Sequence, residues 1–107
     1  MEEEYKEFIY PYYVSNMGNV KNIVTSKILI GDINSCGYRR VSLKINGCYK
    51  KYFVHRLVAK LFVDGETEEK NIVNHIDGNK MNNKYYNLEW VTRSENDLHA
   101  YRNNLRF

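Results

Sequence analysis

The stretch NIVNHIDGNKMNNKYYNLEWVTRSENDLH, residues 71 to 99, decides how the C-terminal half of the chain folds. Two short apolar segments, Ile72-Val73 and Leu88 to Val91, lie on either side of the turn residues Asp77-Gly78-Asn79. Apolar, β-prone runs separated by residues that accept turn conformations are typical of paired antiparallel strands. This part of the stretch therefore predicts strand, loop and returning strand.

The end of the stretch predicts a helix. Thr92-Arg93-Ser94-Glu95 fits a capping box, with Thr92 as the N-cap and Glu95 three residues later. The helix is expected to run from about Arg93 to about Asn103. It would carry Asn96 and His99 back across the two strands.

Polar side chains lie at the ends of these elements. Asn74 and His75 follow the first apolar segment, Asn87 precedes the second, and Asn96 lies on the predicted helix. If the strands pair and the helix crosses them, residues 74, 75 and 96 converge on one small volume. Histidine can take a proton from water near neutral pH, and amide oxygens are hard ligands that suit Mg²⁺. The pattern indicates a hydrolytic site, although a lone histidine in a small domain is more often structural.

The upstream half is β-rich. Residues 1–9 are acidic and poorly patterned, which predicts a loose lead-in. Tyr10 to Val20 predicts strand, turn and strand, and Tyr38 to Ile45 alternates with the period of two that is typical of a half-buried strand. Asn46-Gly47 is a two-residue hairpin signal, and Cys48 to Val54 predicts the returning strand.

The period then changes to that of a helix. Apolar residues at positions 54, 57, 58, 61 and 62 form an amphipathic stripe that Asp64-Gly65 ends. The whole pattern predicts an α+β chain, a small antiparallel β-rich part followed by a helix and the strand–loop–strand–helix unit. The parts are a lead-in over 1–9, a β-rich part over 10–54 and the remainder over 55–107, packed as one compact domain.

Charge and composition restrict the class of partner. The chain has 107 residues and a formal net charge of +3, and Asp32 is the one acid against nine basic residues between positions 21 and 60. A basic middle favours a phosphate partner, and a solvated sheet face explains it equally well. The two cysteines have no CxxC spacing, and no signal core or membrane-length apolar run is present. These features predict a protein that is not secreted and not in a membrane, located in the cytoplasm or nucleus of a host.

The ordered motifs of the stretch resemble the signature of HNH endonucleases, and among these the phage intron-encoded homing type. The residues that carry this resemblance are Asn74-His75-x-Asp77-Gly78-Asn79-Lys80-x-Asn82-Asn83, Asn87-Leu88-Glu89-Trp90-Val91-Thr92 and Glu95-Asn96. Upstream, Tyr13-Val14-Ser15-Asn16-x-Gly18-x-Val20 and His55-Arg56-Leu57-Val58-Ala59 resemble the DNA-contacting module that precedes the HNH unit in those proteins. The resemblance covers roughly residues 10 to 100.

This resemblance implies a ββα-metal fold that cuts DNA phosphodiester bonds with one divalent cation, Mg²⁺ or Mn²⁺. It implies that His75 is the general base and that Asn87 braces the loop that aims it. Asn74 and Asn96 would be metal ligands, although the family often has Asp at position 74 and an amide is the weaker ligand. His99, on the same helix face as Asn96, is a further candidate ligand; a phosphate contact or packing against the hairpin is equally open.

Basic side chains along the chain are candidate DNA contacts. His55 is interpreted as structural, Trp90 as core, and Arg56 as a phosphate contact or a surface pair. Contacts to the DNA backbone position a protein on the duplex. The candidates are Arg39, Arg40, Lys44, Lys50, Lys51, Arg56, Lys80, Lys84 and Arg93.

Three functions remain open at this point. The first is a metal-dependent HNH endonuclease acting on double-stranded DNA, and one site in a chain expected to be a monomer favours nicking, with a dimer as the alternative. The second is a DNA-binding module on the same fold that does not cut, which Asn74 favours. The third is a small structural or interaction domain.

Overall fold

The computed structural model describes residues 2–102, the last three as helix backbone. The expected helix end at Asn103 and the remainder of the chain lie outside the described residues. In chain order the elements are β1 (Tyr5–Ile9), β2 (Tyr12–Ser15), β3 (Val20–Asn22), β4 (Lys27–Leu29), β5 (Asp32–Ile33), β6 (Arg39–Ile45), β7 (Cys48–Phe53), α1 (Val54–Phe62), β8 (Ile72–His75), a 3-10 turn (Tyr85–Asn87), β9 (Leu88–Val91) and α2 (Arg93–Arg102).

The strands form three antiparallel sheets. Their orders are β1-β2-β3-β4, β5-β6-β7 and β8-β9. Each consecutive pair within a sheet is antiparallel, and the longest connection between paired strands, residues 76–87, joins β8 to β9. The predicted α+β class is confirmed.

Residues 5–9 correct one expectation. They form β1, which pairs with β2 from Tyr5 opposite Ser15 to Ile9 opposite Tyr12, so the prediction of a loose lead-in over residues 1–9 was wrong. β1 is an edge strand in which only Tyr5 and Phe8 are partly buried. β1 pairs with the strand that directly follows it, but three of its five residues are exposed, which leaves little hydrophobic pattern in the local sequence.

The hairpin predicted at Asn46-Gly47 is present. Ile45 pairs with Cys48, and both turn residues have positive φ, 52° for Asn46 and 80° for Gly47. Positive φ at both central positions gives the twist that two-residue hairpins need. The alternation in β6 is also confirmed, since Val41 and Leu43 are buried in the core.

Helix α1 lies at the centre of the molecule and contacts strands of all three sheets. Val54, Leu57 and Val58 are buried on its inner face, as the amphipathic stripe predicts. Burying one such aliphatic side chain stabilises the fold by roughly 1.5–3 kcal/mol. Trp90 of β9 packs into the same core and donates from Nε1 to the carbonyl of Val63 at 3.0 Å.

Hydrogen bonds join the sheets of the β-rich half to each other and to the C-terminal part of the chain. The backbone N–H of Lys44 donates to the Tyr12 hydroxyl at 2.9 Å, which links the first two sheets. The backbone N–H of Tyr85 donates to the carbonyl of Asn16 at 2.8 Å, which links the β2–β3 turn to the loop before β9. No helix within residues 2–102 is long and apolar enough to cross a membrane.

Candidate active site

A cavity of about 110 Å³ lies between β8, the loop that follows it and α2. Five residues that the sequence predicts as site residues meet there, so strand pairing and helix crossing bring together residues that lie more than twenty positions apart in the sequence. The residues that line it are Tyr38, Val73, Asn74, His75, Gly78, Lys80, Asn96 and His99.

The elements around the cavity fix these positions. Asn74 pairs with Glu89 and His75 with Leu88 across the β8–β9 hairpin. Thr92 Oγ1 accepts from the backbone N–H of Glu95 at 3.1 Å, and Glu95 Oε1 accepts from the N–H of Thr92 at 3.0 Å. This capping box, as predicted, starts α2 directly after β9 and sets the direction in which the helix carries Asn96.

His75 is 5% exposed, and its Nε2 lies 2.7 Å from Asn83 Oδ1. Burial lowers the pKa of His75 below its ordinary value; the contacts with Asn83 and Asp77 raise the pKa but do not overcome burial. The imidazole is therefore neutral at neutral pH, which is the state in which it can accept a proton.

Two further rings pack against His75. The ring centroids of His55 and His75 are 5.1 Å apart, and Tyr38 stacks on His55 at 5.0 Å and on His75 at 6.0 Å. Burial, with smaller effects from His75 and Arg56, lowers the pKa of His55 from 6.5 to about 3. His55 is thus a neutral ring, and with Tyr38 it holds the plane of the His75 imidazole.

Asn87 makes three hydrogen bonds to the loop between the strands. Its Oδ1 accepts from the backbone N–H of Asp77 at 3.0 Å, and its Nδ2 donates to Asp77 Oδ1 at 2.9 Å and to the carbonyl of Asn82 at 2.9 Å. The start and the end of the 77–82 loop are therefore tied to one buried side chain. The family resemblance implies that Asn87 braces this loop, and that role stays a prediction.

Asn74 is 7% exposed and donates from Nδ2 to Glu89 Oε2 at 3.3 Å. That contact leaves Oδ1 as the other polar atom of the side chain, beside a cavity that Asn96 also lines. Among residues 2–99 no group of three or more His, Cys, Asp or Glu side chains is placed to hold a metal ion. The donor set does not suit a tightly held, fully protein-ligated ion. It fits Mg²⁺, which keeps several waters and takes few protein ligands alongside a substrate phosphate.

His99 contacts the hairpin. Its Nε2 lies 2.9 Å from the carbonyl oxygen of Ile76, and because a carbonyl only accepts, Nε2 is the donor. Packing of His99 against the hairpin, one of the alternatives left open by the sequence, is present in the structure. The contact also fixes α2 over the loop that follows β8.

Five of the predicted DNA-contacting cations have partners within the chain. Arg40 and Lys51 both reach Asp32 Oδ2, at 3.0 and 2.9 Å. The others donate to backbone carbonyls: Arg39 to Leu29 and Ile30, Arg56 to Asn71, and Lys80 to Cys36.

The remaining cations are placed differently. Lys44 and Lys50 are exposed and lie over the rings of Tyr49 and Tyr52, at 5.8 and 5.5 Å from the centroids. Lys84 is half-buried and Arg93 is exposed at the first turn of α2. The nine cations thus lie on the β5-β6-β7 sheet, in the first turns of α1 and α2, and in the loop between β8 and β9.

Four residues of the site received no functional role from the sequence. Tyr38, His55, Asn83 and Glu89 contact His75 or Asn74 directly or through a ring. Asn83 and Glu89 belong to the motifs quoted above, which was the available signal. Nothing local in the sequence marks Tyr38.

Comparisons with known proteins show which family the chain is similar to. The model of the HNH endonuclease family matches residues 52–98, and the NUMOD4 motif matches residues 3–44. An uncharacterized HNH endonuclease of Acanthamoeba polyphaga mimivirus is 54% identical over 98 residues, which are 88% of this chain and 24% of that protein. DNA endonuclease I-HmuI of Bacillus phage SP01 is 47% identical over 85 residues, 79% of this chain and 48% of that one.

The fold is similar to that of a solved relative. A structure that concerns DNA binding and cleavage by the HNH homing endonuclease I-HmuI superposes with a TM-score of 0.88 at 38% identity, and covers 97% of this chain and 61% of that one. The chain spans about a quarter of the mimivirus relative's length and about half of the phage relative's. With matched motifs in the same order and a shared fold, the chain belongs to the HNH endonuclease family, with a NUMOD4 motif ahead of its HNH unit.

Proposed function

We propose that this chain hydrolyses phosphodiester bonds of double-stranded DNA, using one divalent cation, Mg²⁺ or Mn²⁺. The observation that carries the proposal is one cavity lined by a neutral imidazole and two side-chain amides, His75, Asn74 and Asn96. A base and hard oxygen ligands within one small volume are what hydrolysis of a phosphate diester requires. The relatives named as HNH endonucleases support the same reaction class.

In the proposed reaction His75 takes a proton from the attacking water. Asn87 keeps the loop after β8 in place through its bonds to Asp77 and Asn82. Asn74 and Asn96 would hold the cation through their amide oxygens, with His99 keeping α2 against the hairpin. When bound, the cation supplies stabilisation of negative charge on the phosphate and the leaving oxygen.

DNA is the proposed partner because cations surround the β-rich half and the hairpin loop, and the net charge is positive. The I-HmuI structure concerns DNA binding and cleavage by that relative, which supports the same partner here. One candidate site among the described residues favours a nick in one strand by a monomer. Such a protein would act in the host compartment that holds its target DNA, cytoplasm or nucleus.

A plasmid assay tests the proposal. With Mg²⁺ the wild type is expected to convert supercoiled plasmid to the nicked circle before any linear form appears, and chelation by EDTA stops the reaction. Replacing the base, His75→Ala, is expected to slow nicking by roughly 10²–10⁴-fold. Met81→Ala, which changes an exposed side chain in the same loop, is the matched control. Equal rates for the wild type and His75→Ala would overturn the assignment of the base.

A second function is favoured by the amide at position 74 beside the carboxylate of Glu89. A neutral ligand holds a cation less firmly than a carboxylate, so the fold could bind DNA without cutting it. This alternative predicts salt-dependent DNA binding with no cleavage in Mg²⁺ or Mn²⁺. Metal-dependent nicking that is lost in His75→Ala would rule it out.

A further inference from the structure

We propose that Asn83 is a positioning residue that holds the proton on Nε2 of His75, so that Nδ1 is the atom that accepts the proton of water. The β2–β3 turn, residues 15–19, holds Asn83 in place. The assignment of Nδ1 as the reacting atom rests on the proposed function. The hydrogen-bond arrangement itself does not, and it can be measured independently.

A short, buried hydrogen bond joins His75 to Asn83. His75 Nε2 and Asn83 Oδ1 are 2.7 Å apart, and each residue is 5% exposed. An amide oxygen only accepts, so the ring nitrogen that faces it must carry the hydrogen. A neutral imidazole has one N–H, which leaves the lone pair on Nδ1. Because both residues are buried, bulk water cannot readily replace either partner.

The orientation of the His75 imidazole is fixed by its neighbours. Tyr38 and His55 lie against the imidazole at centroid distances of 6.0 and 5.1 Å and restrict its plane. A plane alone leaves two orientations related by a half-turn, which exchange the two nitrogens. The bond to Asn83 selects one of them, so Nδ1 has a fixed direction.

The β2–β3 turn contacts Asn83 and the segment around it. Gly18 has φ +90°, and a Cβ built on it would lie 3.1 Å from Cβ of Asn83 and 3.2 Å from the Asn83 carbonyl oxygen. The turn therefore packs directly on this residue, and a side chain at position 18 would fit only if Asn83 shifted by a few tenths of an ångström. Two residues later, the N–H of Tyr85 donates to the carbonyl of Asn16 at 2.8 Å. Contact and hydrogen bond together join the turn to the segment that presents Asn83.

The turn is itself held by the acidic N-terminal segment. Ser15 Oγ donates to Glu3 Oε2 at 2.8 Å and accepts from the N–H of Asn19 at 3.0 Å. The backbone N–H of Glu4 donates to Asn16 Oδ1 at 2.9 Å. Through these bonds residues 3–19 form part of the support of the histidine in the C-terminal hairpin.

The NMR spectrum of the imidazole nitrogens tests the proposal. The ¹⁵N-histidine-labelled full chain at pH 8, with the His75 signals assigned by their loss in His75→Ala, is expected to show separate signals for a protonated Nε2 and an unprotonated Nδ1. In Asn83→Ala the two signals should move towards each other and the Nε2 proton should exchange faster with water. Asn83→Asp retains an acceptor and should keep the pattern, as should Asn79→Ala, an amide loss in the same loop. A proton on Nδ1 of wild-type His75, or an unchanged pattern in Asn83→Ala, would overturn the proposal.

Nicking kinetics give the second readout. Asn83→Ala is expected to lower kcat by about 10–100-fold, a range typical for loss of an orienting partner, with KM for DNA little changed. Asn83→Asp should recover most of that loss. A full kcat in Asn83→Ala with intact nicking by the wild type contradicts the positioning role. If the wild type does not nick DNA, the proposed function fails, and the nitrogen spectrum still decides the hydrogen-bond arrangement.

A glycine pair isolates the contribution of the turn. Gly18→Ala and Gly47→Ala both place alanine at positive φ, at +90° and +80°, but a Cβ at position 47 meets nothing within 4 Å. The two variants share the backbone strain, and only Gly18→Ala presses on Asn83. The His75 signals should change in Gly18→Ala and stay unchanged in Gly47→Ala. The same spectrum in both variants would remove the turn from the proposal.

Discussion

At the scale of single residues, the pair Asn74 and Glu89 sets the charge of the proposed metal site. The carboxylate belongs to β9 and the amide to β8, and they meet through one hydrogen bond of 3.3 Å between Asn74 Nδ2 and Glu89 Oε2. The carboxylate beside the site therefore comes from Glu89 on β9, and not from position 74 on β8, where the family often has Asp. A carboxylate at position 74 would raise the affinity for a cation, but it would lower the stability of the metal-free protein.

The variant Asn74→Asp is expected to exchange stability for metal affinity. Aspartate cannot donate to Glu89, so two carboxylates face each other until a cation lies between them. Without metal the midpoint of thermal unfolding should fall, and affinity for Mn²⁺ should rise about tenfold, ~1.4 kcal/mol. Electron paramagnetic resonance titration with Mn²⁺ measures the affinity. Asn71→Asp adds the same charge at an exposed position and should change neither quantity.

At the scale of elements, the start of α2 couples helix stability to the cavity. The helix carries both Asn96 and His99, and the capping box of Thr92 and Glu95 defines where it begins. Fraying of the first turn would move Asn96 away from Asn74.

We expect Thr92→Ala to cost about 1 kcal/mol of stability, since the side-chain oxygen that satisfies the N–H of Glu95 is lost. The unfolding midpoint should fall by roughly 4–8 °C, and Mn²⁺ should bind more weakly because one of its ligands loses its support. Ser94→Ala removes a hydroxyl from an exposed residue of the same turn and serves as the control. Weaker Mn²⁺ binding in Ser94→Ala to the same extent would separate metal affinity from the cap.

Elements with local signals were predictable from the sequence, and contacts between distant segments were not. The Asn46-Gly47 hairpin, the stripe of α1 and the capping box each depend on a few neighbouring residues, and each is present. Strand β1 was missed because most of its side chains are exposed, so its sequence has little hydrophobic alternation. Asn83 lies in a motif of the family, but the sequence predicts no role for it, because its contact with His75 depends on the path of an entire loop.

At the scale of the whole molecule, Asp32 limits the positive charge available for the proposed contact with DNA. Its carboxylate holds both Arg40 and Lys51 at the surface of the β5-β6-β7 sheet, and these contacts lower the pKa of Asp32, so the group stays ionised. Two cations of the basic half are thereby partly neutralised.

Removing that carboxylate, Asp32→Asn, is expected to raise affinity for DNA and to steepen its salt dependence, by up to about two in the slope of log K against log salt. Fluorescence anisotropy over a range of salt concentrations measures both. Glu66→Gln releases Lys60 instead and gives the same change in net charge at another surface. Identical slopes for the two variants would mean that net charge, and not this sheet, governs binding.

The contact of Gly18 with Asn83 has a consequence for how such proteins can be recombined. The NUMOD4 and HNH matches occupy separate segments of the sequence. Even so, the β2–β3 turn of the first segment packs directly on Asn83 in the loop of the second. A chimera could join the first segment of one relative to the second segment of another. Its histidine is expected to be held correctly only if the residues at positions 18 and 83 are again glycine and asparagine in contact. For natural shuffling and for laboratory grafting alike, the unit of exchange is the pair of segments.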